Sequence, residues 1–408
     1  MSEVKKNTKD KAALVPRLRF SEFLETAEWG KDKLGELITT VSPPAKLQSS
    51  SYRMQGKFPI IDQSQELICG WTDDESAVIA ESLPLIIFGD HTCALKFVEN
   101  PFAQGADGIK ILKAKPTISA EFLFHSLSHH PLAMEDYKRH FSILKERTVV
   151  FPDIKSGEQQ KIADCLSSLD DLITAETQKL DTLKTHKKGL MQQLFPREGE
   201  TVPRLRFLEF FDTPEHKFKP LNMLVKFSSG GTPPKAEPAY WEGDIPWISA
   251  SSMHDMNISD ADLRVTTMAI GNGTRLAKKG AILILVRGSM LFKRVPICIA
   301  LRDVAFNQDV KALTVTPDVI SIFLLYQLIS LSSRIAVNET GIGAGKIETE
   351  ILEGLKIWLP DTAEQQRIAD CLSSLDDHIA EQSQKIDSLK THKKGLMQQI
   401  FPVMESLE

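Results

Sequence analysis

The chain reads as an α+β protein in which two mixed domains are each followed by a long helix, the whole order being written twice. Three observations lead there. The segment Glu158–Pro196 returns as Glu364–Pro402 at an offset of 206 residues, and of 39 aligned pairs only nine differ. Apolar residues in both copies recur at heptad spacing, the mark of a long amphipathic helix. The stretches ahead of each copy alternate short β-rich runs with turns and carry one apolar helical stretch. At 408 residues and 45.6 kDa the chain exceeds one ordinary core and accommodates two domains of about 150 residues plus connecting elements.

Taken in order, residues 1–14 form a lysine-rich arm, MSEVKKNTKDKAA, whose composition predicts disorder and which lacks the apolar run of a secretory signal. Residues 15–155 are the first mixed domain. It opens on VPRLRFSEF at Val15–Phe23, has strand-like runs at Leu85–Phe88 and Ile109–Leu112, and a helical stretch at Phe122–Leu127. Residues 156–196 are the first long helix. Its stripe is Ile162, Leu166, Leu169, Ile173, Leu180, Leu183, Leu190 and Leu194, with polar breaks at Glu176 and Lys187. Ser156 followed by Gln159 reads as a capping-box start, and Pro196 as the stop.

Residues 197–361 are the second mixed domain, opening on VPRLRFLEF at Val202–Phe210. That offset is 187, so the second unit is 19 residues longer than the first. Its strand-like runs are Ile282–Val286 and Ala312–Val315, and its helical stretch is Phe323–Leu328. Residues 362–402 are the second long helix, with Thr362 and Gln365 as its capping box, and 403–408 are a tail.

Core packing accounts for the apolar stripes but not for the polar identities. Gln159, Gln160, Ser167, Ser168, Asp170, Asp171, Lys187, Lys188, Gln192 and Gln193 are unchanged in the second copy, where Gln365, Gln366, Asp376, Asp377, Lys393 and Lys394 are among their equivalents. Duplication alone would have left the domains between them alike as well. The helices are therefore expected to present one docking surface twice to one kind of partner.

A search for catalytic chemistry finds little. The GIGAGK stretch at Gly341–Lys346 misses the first glycine of a phosphate loop, and Ile347 has no hydroxyl for Mg²⁺. Asn100-Pro101-Phe102 lacks a proline of the adenine-methyltransferase motif. Ser126, His129 and His130 have no nucleophile-elbow context, and no metal-ligand spacing occurs. The cysteines, Cys69, Cys93, Cys165, Cys298 and Cys371, form no CxxC pair and fit reduced thiols in a cytoplasmic protein. No apolar run is long enough for a membrane span. A net charge of −5 weighs against a free-standing nucleic-acid binder, though not against local basic surfaces or a partner that supplies phosphate contacts.

What remains are polar and basic turns that follow apolar strands and suit the reading of base edges. In the first domain they are Gln63, Ser64, Gly89, Asp90, His91 and Lys96. In the second they are Gly231, Thr232, Lys235, Trp247, Ser249, Arg287, Ser289, Lys293, Arg294, Asn307 and Gln308, with Lys346 in a flexible turn.

With VPRLRF ahead of each domain, PIIDQS at Pro59–Ser64, IIFGDHTC at Ile86–Cys93, GGTPPKAEPAYWEGDIPWIS at Gly230–Ser249, and EQQ(K/R)IADCLSSLDD opening each helix, the chain resembles the specificity subunit of type I restriction-modification systems over nearly its whole length. The resemblance implies two target recognition domains, each reading one half of a split, asymmetric site in double-stranded DNA. It implies that the two helices pack antiparallel as a coiled-coil-like spacer with pseudo-twofold symmetry and dock two modification (methyltransferase) subunits, which restriction subunits join. Each helix would span roughly 55 Å, more than one DNA turn of about 34 Å. The chain itself would carry no catalytic residue and no cofactor. S-adenosylmethionine would sit on the modification subunit, and ATP with Mg²⁺ on the restriction subunit. GGTPPK occurs only in the second domain, which points to two recognition subclasses. The rival expectations are an enzyme with an unrecognised site and a coiled-coil adaptor that never touches DNA.

Overall fold

The structure is a computed structural model that describes residues 14–106, 108–134, 139–212, 217–340 and 343–402. The lysine-rich arm up to residue 13, the tail from 403, and Gly341 and Ile342 lie outside the described residues. The chain divides into two compact units, one formed by residues up to Thr177 with those from Gln384 onward, the other by Gln178–Ser383. The division thus cuts both long helices near their middles. Each unit is one mixed domain, the first half of the helix that follows it, and the last half of the other helix.

In the first unit a four-stranded antiparallel sheet runs in the order Ile38–Val41, Ile109–Ala114, Leu85–Gly89, Leu95–Val98. The strand Leu85–Gly89 is buried along its whole length, which is why it appears in the sequence as an unbroken apolar run. Its side chains alternate between two cores, as a period of two requires. Ile86 and Phe88 pack with Phe122 and Leu123 of the helix Ala120–His129, whereas Leu85 and Ile87 pack with Ile61 and Phe102 on the other side. There, Phe58–Ile61 pairs in parallel with Ala103–Gln104.

The second unit repeats this plan with different side chains. Its sheet runs Val225–Ser229, Val310–Val315, Ile282–Leu285, Ile297–Ala300, and Trp241–Ile248 pairs in parallel with Val304–Phe306. The helix Ser321–Leu331 takes the place of Ala120–His129. The strand Arg275–Ala277 lengthens a pairing that in the first unit is the single bridge between Val78 and Ala103, and strands without a counterpart among the described residues of the first unit are Asn257–Ile258 and a small sheet of Arg287–Gly288, Ala344–Lys346 and Asn338–Thr340.

The long helices span Glu158–Leu194 and Thr362–Ile400. Ser156 caps the first as expected, its Oγ accepting from the Glu158 amide at 3.2 Å, but Gln159 does not return to close the box, and at the second Asp361 rather than Thr362 is the cap, its Oδ1 accepting from the Glu364 amide at 2.8 Å. Equivalent residues enter equivalent cores. Ile162, Ala163 and Leu166 pack with Ile400 and Phe401 in the first unit, and Ile368, Ala369 and Leu372 pack with Leu194 and Phe195 in the second. Each buried isoleucine, leucine or phenylalanine among them stabilises its unit by about 1.5–3 kcal/mol. Among the described residues no helix is long and apolar enough to cross a membrane.

Candidate nucleic-acid interface and docking face

The repeated VPRLRF arms act on the first residue of each EQQ segment. Arg19 Nε and Nη2 donate to the two carboxylate oxygens of Glu158 at 2.7 Å each, and Arg206 does the same to Glu364. The side chains are 4% and 1% exposed in the first pair and 8% and 0% in the second. Such bidentate, desolvated pairing favours the charged guanidinium, and hydrogen bonding to the carboxylate raises the pKa of both arginines. The indole of Trp29 adds a third donor to Glu158 at 3.3 Å.

Gln159 and Gln365, expected on the docking surface, are instead buried and bonded inward, so they are corrected to structural residues. Gln159 Oε1 accepts from the Ser119 amide at 2.7 Å, and its Nε2 donates to the Pro152 carbonyl at 2.7 Å and the Thr117 carbonyl at 3.3 Å. Gln365 repeats the pattern with the Ile320 amide at 2.9 Å, the Pro360 carbonyl at 2.8 Å and the Asp318 carbonyl at 3.1 Å. Four further residues are likewise engaged internally. Asp170 pairs with Lys393 and Asp376 with Lys187, both across antiparallel helix segments within one unit.

Around these pairs the domains supply different groups. In the first unit His125 Nε2 meets Ser167 Oγ at 3.0 Å, and that hydroxyl donates to Glu121. Because the serine proton is committed to Glu121, Nε2 must carry the ring proton. Burial first, then the nearby Lys393 charge, pushes the imidazole down to about 4, so it is neutral. In the second unit Tyr326 takes this place. Its hydroxyl donates to Asp376 at 2.6 Å, and Lys187 Nζ lies 5.0 Å from the centre of its ring.

Subtracting the inward residues leaves an exposed face. Gln160, Asp164, Ser168 and Asp171 lie at i, i+4, i+8 and i+11, on one side of the helix and away from Ile162 and Leu166. Gln366, Asp370, Ser374 and Asp377 repeat them, also exposed. Asp164 and Asp370, which accept from Gln160 and Gln366 at 2.7 and 2.6 Å, were not singled out from the sequence, although the helical period would have placed them. Lys188 and Lys394 are exposed as well.

Of the base-reading candidates, several are buried and others are bonded within the chain. Lys96 is buried, its ammonium donating to the Asp62 carbonyl at 2.8 Å, and burial lowers its pKa. Asp90 accepts from the Phe141 amide at 2.8 Å inside the first domain. Trp247 is buried with its indole on the Gly231 carbonyl, and Asn307 is buried in a turn whose Asp309 amide it accepts. Ser64 sits in an Asx turn made by Asp62, Ser249 bonds Ser251, and Lys346 pairs with Glu348. Arg294 donates to the carbonyls of Met253 and His254 yet stays exposed.

The remaining candidates fall into small separate groups within each unit. In the second, Thr232 donates to Gln308 at 2.8 Å, joining the GGTP turn to the turn before Val310–Val315, and Lys235 is exposed nearby in sequence. Gly230 and Gly231 allow this: a Cβ on either would lie 2.1–2.2 Å from a backbone oxygen of Phe306 or Gly273. Arg287, paired in register with Lys346, shares with Ser289 and Lys293 the exposed end of the small sheet. In the first unit Gln63 and His91 line a 390 Å³ cleft together with Lys46, Lys110 and Arg139, three cations the sequence did not single out because they are far apart in the chain, Lys110 lying on the strand Ile109–Ala114. Among the described residues no group of three His, Cys, Asp or Glu could hold a metal ion.

Known proteins resemble the chain as follows. The family model for the type I restriction modification DNA specificity domain matches residues 26–185 and 215–391. The specificity subunit of the type I restriction enzyme EcoR124I/EcoR124II from Escherichia coli is 27% identical over 361 residues, 84% of this chain and 85% of that protein. The MjaIX specificity subunit from Methanocaldococcus jannaschii is 26% identical over 178 residues, 42% of this chain and 40% of that protein. The crystal structure of the type I restriction-modification S subunit from M. genitalium aligns with a TM-score of 0.63 at 17% identity, covering 96% of this chain and all of that one. A chain from a structural study of type I restriction-modification complex assembly aligns at 0.56 and 16% identity, covering 91% and 97%.

Proposed function

The chain belongs to the type I restriction-modification DNA specificity family, and from that premise we propose that each of its two units reads one half of a two-part, asymmetric site in double-stranded DNA. The long helices would set the gap between the halves. Two modification subunits would dock on the two copies of the exposed helical face, bringing S-adenosylmethionine with them, and restriction subunits would bring ATP and Mg²⁺. In this reading the chain is a non-catalytic specificity subunit. One observation carries it: the face Gln160, Asp164, Ser168, Asp171 recurs unchanged as Gln366, Asp370, Ser374, Asp377, although none of these residues is needed for the cores. The polar turns of the two units, in contrast, carry different groups: Gln63 and His91 in the first, Thr232, Gln308 and Arg287 in the second. One kind of partner used twice and two different DNA words account for both facts.

Charge reversal on the face tests the docking. Native mass spectrometry of the complex assembled with its modification subunits should show two such subunits with the unaltered chain, one with Asp164→Lys/Asp171→Lys, and none when Asp370→Lys/Asp377→Lys is added. Two subunits retained by the fourfold variant would refute the docking assignment.

A further inference from the structure

Resting on the DNA-reading assignment above, we propose that the side-chain amide of Gln63 reads an adenine in the half-site faced by the first unit, with Lys110 and Arg139 holding the flanking phosphates. Gln63 follows the strand Phe58–Ile61 and sits in the polar cleft. Its main chain is pinned by Thr92, whose hydroxyl donates to the Gln63 carbonyl at 2.6 Å. Its side chain lies against Gly108, where a Cβ would come within 2.6–2.8 Å of the amide atoms and where φ is +105°. Glycine is the residue that both the backbone angle and the close approach permit. The amide therefore occupies the space beside the Gly108 backbone that any larger residue would fill.

In that position, Gln63 Oε1 is buried without a hydrogen-bond partner. A buried acceptor left unpaired is costly and uncommon, so a group that enters the cleft with a donor gains by satisfying it. The major-groove edge of adenine offers the N6 amino donor next to the N7 acceptor, matching the carbonyl and NH₂ of one amide. Cytosine offers the donor alone, while guanine and thymine turn an acceptor towards Oε1. The surroundings favour a polyanion despite the chain's net charge of −5: Lys110 and Arg139 line the same cleft. Among the described residues that line it, the one carboxylate, Asp90, is already engaged by the Phe141 amide.

The test uses the full chain with its modification subunits acting on a plasmid library with randomised half-sites, methylation being read at base resolution. The unaltered chain should yield a two-part motif with an adenine in the half read by the first unit. Gln63→Glu, nearly isosteric, should lower discrimination for that adenine by about ten- to a hundred-fold and favour cytosine there, leaving the other half-site unchanged. Gln63→Ala should flatten preference at that one position. Lys110→Ala should weaken methylation across all sequences without altering the motif. A motif left intact by both Gln63 substitutions, or a loss spread evenly over every position, would overturn the role of Gln63 while leaving the two-part reading standing. The lack of any two-part motif with the unaltered chain would overturn both.

Discussion

Arg19→Met is the sharpest perturbation of the frame. The methionine keeps most of the apolar stem but removes both 2.7 Å bonds to Glu158, whose carboxylate is 1% exposed, along with exposed donations to the Thr26 hydroxyl and the Thr26 and Ala27 carbonyls. Trp29 would remain as a donor at 3.3 Å. Removing one partner of a buried pair typically costs about 3–5 kcal/mol, and the indole places this case near the lower end. Because a chain of two units need not unfold in a single step, local hydrogen exchange is the appropriate measurement. Amides at the start of the first long helix should exchange roughly 150-fold faster, the equivalent of about 3 kcal/mol, while those at the start of the second provide an internal control. Adding Glu158→Gln removes the stranded charge and should restore at least half of the lost protection. The reasoning fails if Arg19→Met costs less than about 1 kcal/mol, the worth of a surface pair, or if the double variant is less protected than the single one.

Two further outcomes follow from the helix contacts. His125 has a folded pKa of about 4 against 6.5 unfolded, so its contribution is complete above pH 6.5 and is lost as pH falls towards 4, where the unfolded chain binds a proton that the folded chain refuses. This imidazole alone should cost the first unit up to about 3 kcal/mol over that interval, beside what His129 and His130, also lowered by burial, contribute, and His125→Leu should flatten only its own part of the pH–stability curve. Lys187→Ala breaks the pair with Asp376 and the contact with the Tyr326 ring and should cost the second unit about 1–2 kcal/mol, measured by urea denaturation. Lys188→Ala, at an exposed neighbour, should stay within about 0.5 kcal/mol.

Much of the frame was legible because its signals are local. Heptad spacing located both long helices, and unbroken apolar runs located Leu85–Gly89 and Ile282–Leu285. The roles of single polar residues were less legible because their partners are distant in the chain. Gln159 suits a capping box by spacing, yet it bonds the amide of Ser119, 40 residues earlier. Lys96 has the chemistry of a phosphate or guanine contact, but the strand's alternation turns it inward onto Asp62. Identity between the copies marked inward and outward polar residues alike. Helical phase separates them: Gln160, Asp164, Ser168 and Asp171 share one side, and Gln159 falls on the same side as Ile162 and Leu166.

The way the helices hold the domains explains why identity and divergence coexist in one chain. Gln159 and Gln365 bond only main-chain groups of their domains: an amide at Ser119 or Ile320, and carbonyls at Thr117 or Asp318 and at Pro152 or Pro360. The side chains at two of these three positions differ between the units, but every residue type offers the same carbonyl and all but proline the same amide. The glutamine therefore requires a backbone shape of its domain and no particular sequence. Where side chains do meet, the helix residue is versatile. Ser167 accepts from His125 in one unit, while Ser373 and Asp376 meet the Tyr326 hydroxyl in the other. A helix that must serve two different domains is restricted to groups both can use, whereas a domain recognised through its backbone is free to change every exposed loop. The constraint on the helices and the freedom of the loops are thus two results of one contact.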